Sequence, residues 1–184
     1  MPTAANVMTG KPKVTGGIRY GRGTITFPTD ATSELEATLL DAGYVSSDGL
    51  VQTIDASDEK ITAWGGDVVK IVRTEHSVSY TFTLIETRNA DALKLMFGEE
   101  NVTVAANNIS VDVKAAMVPR AGFVFDMADE KSVRVVVKDG QPSLSGDVNF
   151  VDEDVISYPI TVEAFPDGDG VKSTLMMETD GTGE

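Results

Sequence analysis

Apolar positions in this chain recur mostly with a period of two. Val78, Tyr80, Phe82 and Leu84 alternate with Ser77, Ser79, Thr81 and Thr83. That spacing predicts a half-buried strand whose outer face is polar and uncharged. The same alternation appears in Gly16–Pro28, in Leu50–Asp55 and in Ile109–Ala115, where Ile109, Val111 and Val113 alternate with Ser110, Asp112 and Lys114. Asp67–Thr87 is strand-like but too long for one ordinary strand, so it predicts two strands or a hairpin bending near Glu75–Ser77. The polar stretch Asp55–Lys60 reads as a turn, followed by Ile61–Trp64 and the pair Gly65–Gly66. Further strands are expected over Ala121–Met127, Ser132–Lys138, Ser143–Val151, Asp154–Phe165 and Val171–Met177, with turns at Ala128–Asp129, Asp139–Gly140, Asp152–Glu153 and Asp167–Gly170.

The period changes to a helical one in two places. Ser33 and Glu36 fit a capping box ahead of Leu35 and Leu39, with Gly43 as a stop, which predicts a helix over Ser33–Ala42. Asn89 can cap a second helix over Asn89–Phe97, where Leu93, Met96 and Phe97 form one stripe before Gly98. The expected fold class is mainly β, a sandwich or barrel with one or two short flanking α-helices. No internal repeat or linker divides the chain. The expected organisation is a flexible arm over 1–15, one β domain over 16–177 and a flexible tail over 178–184.

Composition narrows the chemistry. The 184 residues include no cysteine, which removes disulfides, thiolate metal sites and cysteine nucleophiles. No apolar run reaches bilayer length, and Met1–Lys13 lacks the apolar core of a secretory signal, so no membrane partner is expected. The net charge of −14 disfavours a grip on nucleic acid through phosphate neutralisation. That charge is uneven: Met1–Thr29 carries Lys11, Lys13, Arg19 and Arg22 and no acid. A basic arm on an acidic body offers two unlike patches for contact between copies, against the plainer reading of a solvated terminus.

Candidate chemistry is sparse. His76 stands alone, without a second histidine for a metal or a nucleophile to serve as base. Asp167, Asp169 and Gly170 begin like a calcium loop, but Val171 occupies the next ligand position and no glutamate closes it. The glycines and arginines of Gly16–Gly23 lack the spacing of a phosphate cradle. Asn101-Val-Thr and Asn108-Ile-Ser match glycosylation acceptors, which carry no weight without a signal peptide. No catalytic residue, metal ligand or cofactor is assigned, and the chain is not expected to be an enzyme.

Three runs carry a family resemblance. They are Ser33–Val45 (SELEATLLDAGYV), Asp58–Val69 (DEKITAWGGDVV) and Tyr80–Gly98 (YTFTLIETRNADALKLMFG). In order and combination they resemble the major tail proteins of long, non-contractile phage tails, especially those infecting actinobacteria, over roughly Ile18–Phe165. The resemblance implies a tail-tube fold, hexameric rings stacked into a tube, passage of DNA without specific binding, and assembly in the host bacterial cytoplasm into the virion tail. It implies as partners the chain itself and the tape-measure, tail-terminator and tail-tip proteins. Inner-tube proteins of contractile tails and type VI secretion are the structural alternative. A β-sandwich adhesion or binding module of a virion is the functional one.

Within this picture Ser77, Ser79, Thr81 and Thr83 are candidates for the lumen. Lys11, Lys13, Arg19, Arg22 and the loop residues Trp64, Gly65 and Gly66 are candidates for contacts between subunits. For Trp64 the alternative is a side chain folded back onto its own core.

Overall fold

The computed structural model describes residues 7–13 and 17–179. The expected arm over 1–15 and tail over 178–184 therefore lie partly outside the described residues. In chain order the elements are β1 (Ile18–Gly21), β2 (Leu40–Asp41), β3 (Val51–Thr62), β4 (Val68–Leu84), α1 (Ala90–Phe97), a 3-10 turn at Glu99–Asn101, β5 (Val102–Ala105), β6 (Asn108–Val111), β7 (Ala121–Ala128), β8 (Ser132–Leu144), β9 (Tyr158–Ala164) and β10 (Thr174–Met177). The chain is mainly β, as its alternation predicts.

One antiparallel sheet has the order β2-β1-β7-β8-β9-β4-β3, with β10 also paired to β8 and with β5–β6 as a separate ribbon. The sheet turns back on itself through β8. The first part of that strand pairs with β7 and its last part, Gly140–Leu144, pairs with β9. The Tyr80 ring on β4 thereby stacks on Phe125 of β7 at a centroid distance of 5.3 Å and the Phe82 ring meets it edge-on at 5.8 Å, although β4 and β7 share no ladder. Between the two layers Tyr20, Phe123, Leu84, Leu95, Ile160, Val137 and Val162 are buried.

The turn expected at Asp139–Gly140 does not form, because β8 runs straight through it. A side chain on Gly140 would meet Val162 at 2.7 Å and Phe123 at 2.9 Å, so the glycine permits the close approach of layers where the strand changes partner.

α1 closes one end of the core. Its capping is as expected: the Asn89 side chain accepts from the amides of Asp91 and Ala92. Tyr20 donates its hydroxyl to the Asp91 carbonyl at 2.7 Å, and burial raises its pKa, which keeps the phenol protonated as a donor.

The helix expected over Ser33–Ala42 is absent, and most of that segment is irregular. Its capping groups are engaged elsewhere. The Ser33 hydroxyl and carbonyl both accept from the buried Arg134, and the Glu36 carboxylate accepts from the Thr26 amide. The Asp30 carboxylate turns the chain instead, accepting from the amides of Thr32 and Ser33, and these bonds lower its pKa.

A long hairpin leaves this body. β4 is a single strand of 17 residues, not two. Asp55–Lys60 is not a turn but part of β3, paired with Ser77–Ile71. The bend expected near Glu75 appears as a register shift between Ser57 and Asp58, where Thr74 is the extra residue on β4.

Candidate assembly surfaces

The outer face of β4 carries Ser77, Ser79, Thr81 and Thr83, all half-buried. Register extends that face across neighbouring strands. On β3, Asp55, Thr53 and Val51 stand opposite Ser77, Ser79 and Thr81. On β9, Glu163, Thr161 and Pro159 stand opposite Ser79, Thr81 and Thr83, and on β8 Gln141 and Ser143 continue the rows. The hydroxyls of Thr81 and Thr161 lie 3.1 Å apart. Among these ladder positions the only charges are the carboxylates of Asp55 and Glu163, and no lysine or arginine occurs. The sequence signal for the β9 part, Thr161 and Glu163 alternating with Ile160 and Val162, was of the same kind as that on β4.

β3 stands at the end of the sheet, so among the described residues its outer edge has no partner strand. From Val51 to Ser77 the hairpin is solvated apart from a half-buried Ser77 at its base. Its turn is closed by Ala63 N–H to Asp67 O at 2.8 Å and by Gly66 N–H to Ala63 O at 3.0 Å. Gly65 and Gly66 adopt φ of 123° and 96°, which other residues rarely reach. These glycines hold Trp64 outward with a relative exposure of 107%. Ile61, Val68, Val69 and Ile71 are also exposed along the distal hairpin. Trp64 does not fold back onto its own core.

The basic residues of the N-terminal region are dispersed. Residues 9–13 lie beside the end of β7: Pro12 bridges Met127, Ala128 N–H bonds to Lys11 O, and Lys13 N–H bonds to Asp126 O. Lys11 reaches Asp129 of its own chain at 3.3 Å, and the Thr9 hydroxyl donates to the same carboxylate at 2.6 Å. The Thr9 bond, then that of Lys11, holds the Asp129 carboxyl below its ordinary value. Arg19 sits in β1 opposite Asp41 and Val124. Arg22 is at the other end of β1 from Lys11. Its N–H groups meet the carbonyls of Lys94 and Leu95 at the end of α1, with the guanidinium 5.5 Å from the Tyr20 ring. Lys11, Arg22 and Trp64 therefore occupy separate parts of the surface.

The remaining chemical candidates resolve into structure. His76 is exposed on β4, and its carbonyl accepts from Lys172. The Asp167 carboxylate accepts from the amides of Asp169 and Val171 and from Lys138 Nζ at 2.7 Å, a turn tied by a lysine. Among the described residues no cluster of histidine, aspartate and glutamate could hold a metal. None of the helices is long and apolar enough to cross a membrane. Asn101 is buried, and its amide donates to Phe97 O at 2.7 Å. Two apolar cavities open on the surface. One, of about 360 Å³, lies between Gly10, Lys11, Pro12, Gly17 and Ile18 on one side and the loop from Val45 to Leu50 on the other. The other, of about 230 Å³, lies beside α1 and the last turns of β8.

No curated protein matches the sequence significantly. Among solved structures, the cryo-EM structure of the anti-feeding prophage cap, described as its tube-terminating cap, is similar with a TM-score of 0.48 at 10% identity, covering 97% of this chain and 100% of that one. A family model described as phage tail tube protein matches residues 5–182, nearly the whole length, and the chain belongs to that family.

Proposed function

We propose that this tail tube protein closes into hexameric rings that stack into the tail tube, with the Ser77–Thr83 face turned to the bore and DNA as the cargo. The observation that carries this reading is the polar face itself. It runs across β3, β4, β9 and the end of β8, is backed by the apolar core along β4 and β9, and carries charge only as Asp55 and Glu163. Hydroxyls and carboxylates present no cation to a phosphate backbone, so a duplex meets repulsion or indifference and slides. A positively charged face would hold it.

Ring closure requires unlike patches on the two sides of each subunit. The unpaired outer edge of β3 is one such patch, and an exposed edge of this length is an aggregation hazard unless a neighbour covers it. The hairpin with Trp64 at its tip is a second contact, reaching out of the ring. Lys11, Lys13 and Arg19 are offered to the acidic surface of neighbouring copies, with Lys11 exchanging its own Asp129 for a partner's carboxylate. Assembly takes place in the host cytoplasm, with tape-measure, tail-terminator and tail-tip proteins as further partners. No step of this function is catalytic. An adhesion module, the second reading, needs an aromatic platform, and Trp64 stands at its hairpin tip without a neighbouring exposed ring.

Negative-stain microscopy of the purified chain tests the proposal. Rings or tubes of uniform width are expected. Monomers at every concentration and salt condition contradict it.

A further inference from the structure

Trp64 is an indole held outward by a tight turn, and among the described residues none covers it. The larger apolar cavity is the converse feature, a hollow of about 360 Å³ lined by Pro12, Ile18, Val45, Leu50, Phe125 and Met127. That volume falls at the small end of ligand-sized cavities, roughly 300–1,000 Å³, and suits one large side chain. Building on the tube reading, we propose that Trp64 of one copy seats in this cavity of the next copy, as the contact that joins successive rings.

Geometry excludes the same chain as the source. The cavity wall at Val45–Ser46 is fixed to the C-terminal end of β4, through the Val45–Leu84 bridge and the bond from Ser46 N–H to Thr83 O at 2.8 Å. Trp64 lies beyond the opposite end of that strand. The length of β4 separates the two by roughly 50 Å at about 3.3 Å per residue. A knob at one end and a hollow at the other make a heterologous contact. Each union leaves one free knob and one free hollow, and copies add in a line.

The charges of the lining are matched within the chain, Lys11 by Asp129 and Asp126 by Arg134, so the hollow presents an apolar seat. The exposed Ile61, Val68 and Val69 behind the tip supply apolar area for the rim once the indole is seated. Large aromatics in desolvated pockets carry a disproportionate share of interface energy. The cavity beside α1 is smaller, about 230 Å³, and the hollow of about 460 Å³ at Ile85–Asn89 is walled mainly by polar side chains.

The chain has no cysteine and one tryptophan, which permits a direct test. Ser47, which lines the cavity, is changed to cysteine in a Trp64→Phe background and labelled with bimane, a dye quenched by contact with tryptophan. Labelled copies are mixed with unlabelled chain carrying Trp64, and light scattering and co-sedimentation follow assembly. A several-fold loss of bimane fluorescence is expected as scattering rises, and none when labelled copies assemble without Trp64. If labelled copies stay out of the tubes while the same variant without dye enters, the dye has blocked the cavity, which also supports the proposal. Tubes that contain the labelled copies with undiminished fluorescence overturn it, because Trp64 then lands elsewhere, and the tube reading survives. Failure of the unlabelled chain to assemble overturns the tube reading and this contact with it.

Discussion

Arg134 and Asp126 form a buried two-pronged ion pair, with Nε to Oδ1 at 2.5 Å and Nη2 to Oδ2 at 3.1 Å. The remaining Nη1 donates to the carbonyls of Asp30 and Ser33, both at 2.9 Å. One arginine on β8 thus anchors a strand neighbour on β7 and the irregular segment that covers this side of the sheet. Arg134→Ala leaves a buried carboxylate and two carbonyls without donors. Urea unfolding should show a loss of about 3–5 kcal/mol, the usual cost of breaking a buried pair from one side. The double variant Arg134→Met, Asp126→Leu should recover much of that loss, since the carboxylate is gone as well.

The same pair shows which parts of the fold the sequence discloses. α1 was legible because its signals are local: Asn89 and the stripe Leu93, Met96 and Phe97 act within one helix. Val78–Leu84 was legible because a core lies on one side of the strand and water on the other. Ser33 and Glu36 carry an equally good helix signal, and it failed because Arg134, about a hundred residues distant, and Thr26 claim the groups that would cap. Asp139–Gly140 reads as a turn locally, and only the exchange of β7 for β9 explains a strand through it. Asp55–Lys60 shows no alternation because the hairpin there has no core on either face. Of the candidate surfaces, the polar face of β4 was readable from its period, whereas the sequence left Trp64 open between an exposed loop and its own core, because its exposure depends on the length of the hairpin.

Gly140 should be intolerant of a methyl group. Gly140→Ala drives a carbon into Val162 and Phe123, both fully buried. Overpacking of this kind costs about 1–3 kcal/mol, to be read as a lower midpoint in urea with an unchanged slope.

Trp64→Ala should behave in the opposite way. The side chain touches solvent alone, so stability of the monomer should change by less than about 0.5 kcal/mol. Assembly followed by light scattering should be lost. A variant that melts early with assembly intact would place Trp64 in its own subunit's energetics.

The contact of residues 9–13 with β7 should depend on pH through Asp129. Its carboxyl pKa is lowered in the docked state, so the stabilisation is fully present above the free value of 3.8 and is lost as pH falls through the lowered one. Amide exchange at Lys13 and Ala128, whose N–H groups bond across this contact, should be slower in the parent than in Asp129→Asn near neutral pH. The two proteins should converge in acid. Equal protection at neutral pH would leave the backbone bonds as the sole anchor.

Ser79→Cys should label with a bulky thiol reagent in the monomer and resist it in the assembled tube. Equal labelling in both states would place the polar face on the outside. The most direct measurement is a helical reconstruction by cryo-EM of tubes grown from this chain. A continuous inner wall is expected, built from β3, β4, β9 and the end of β8 of each copy, with Ser79, Thr81 and Thr161 at the bore. A map in which those hydroxyls face the outer surface, with another layer of the subunit lining the channel, would contradict it.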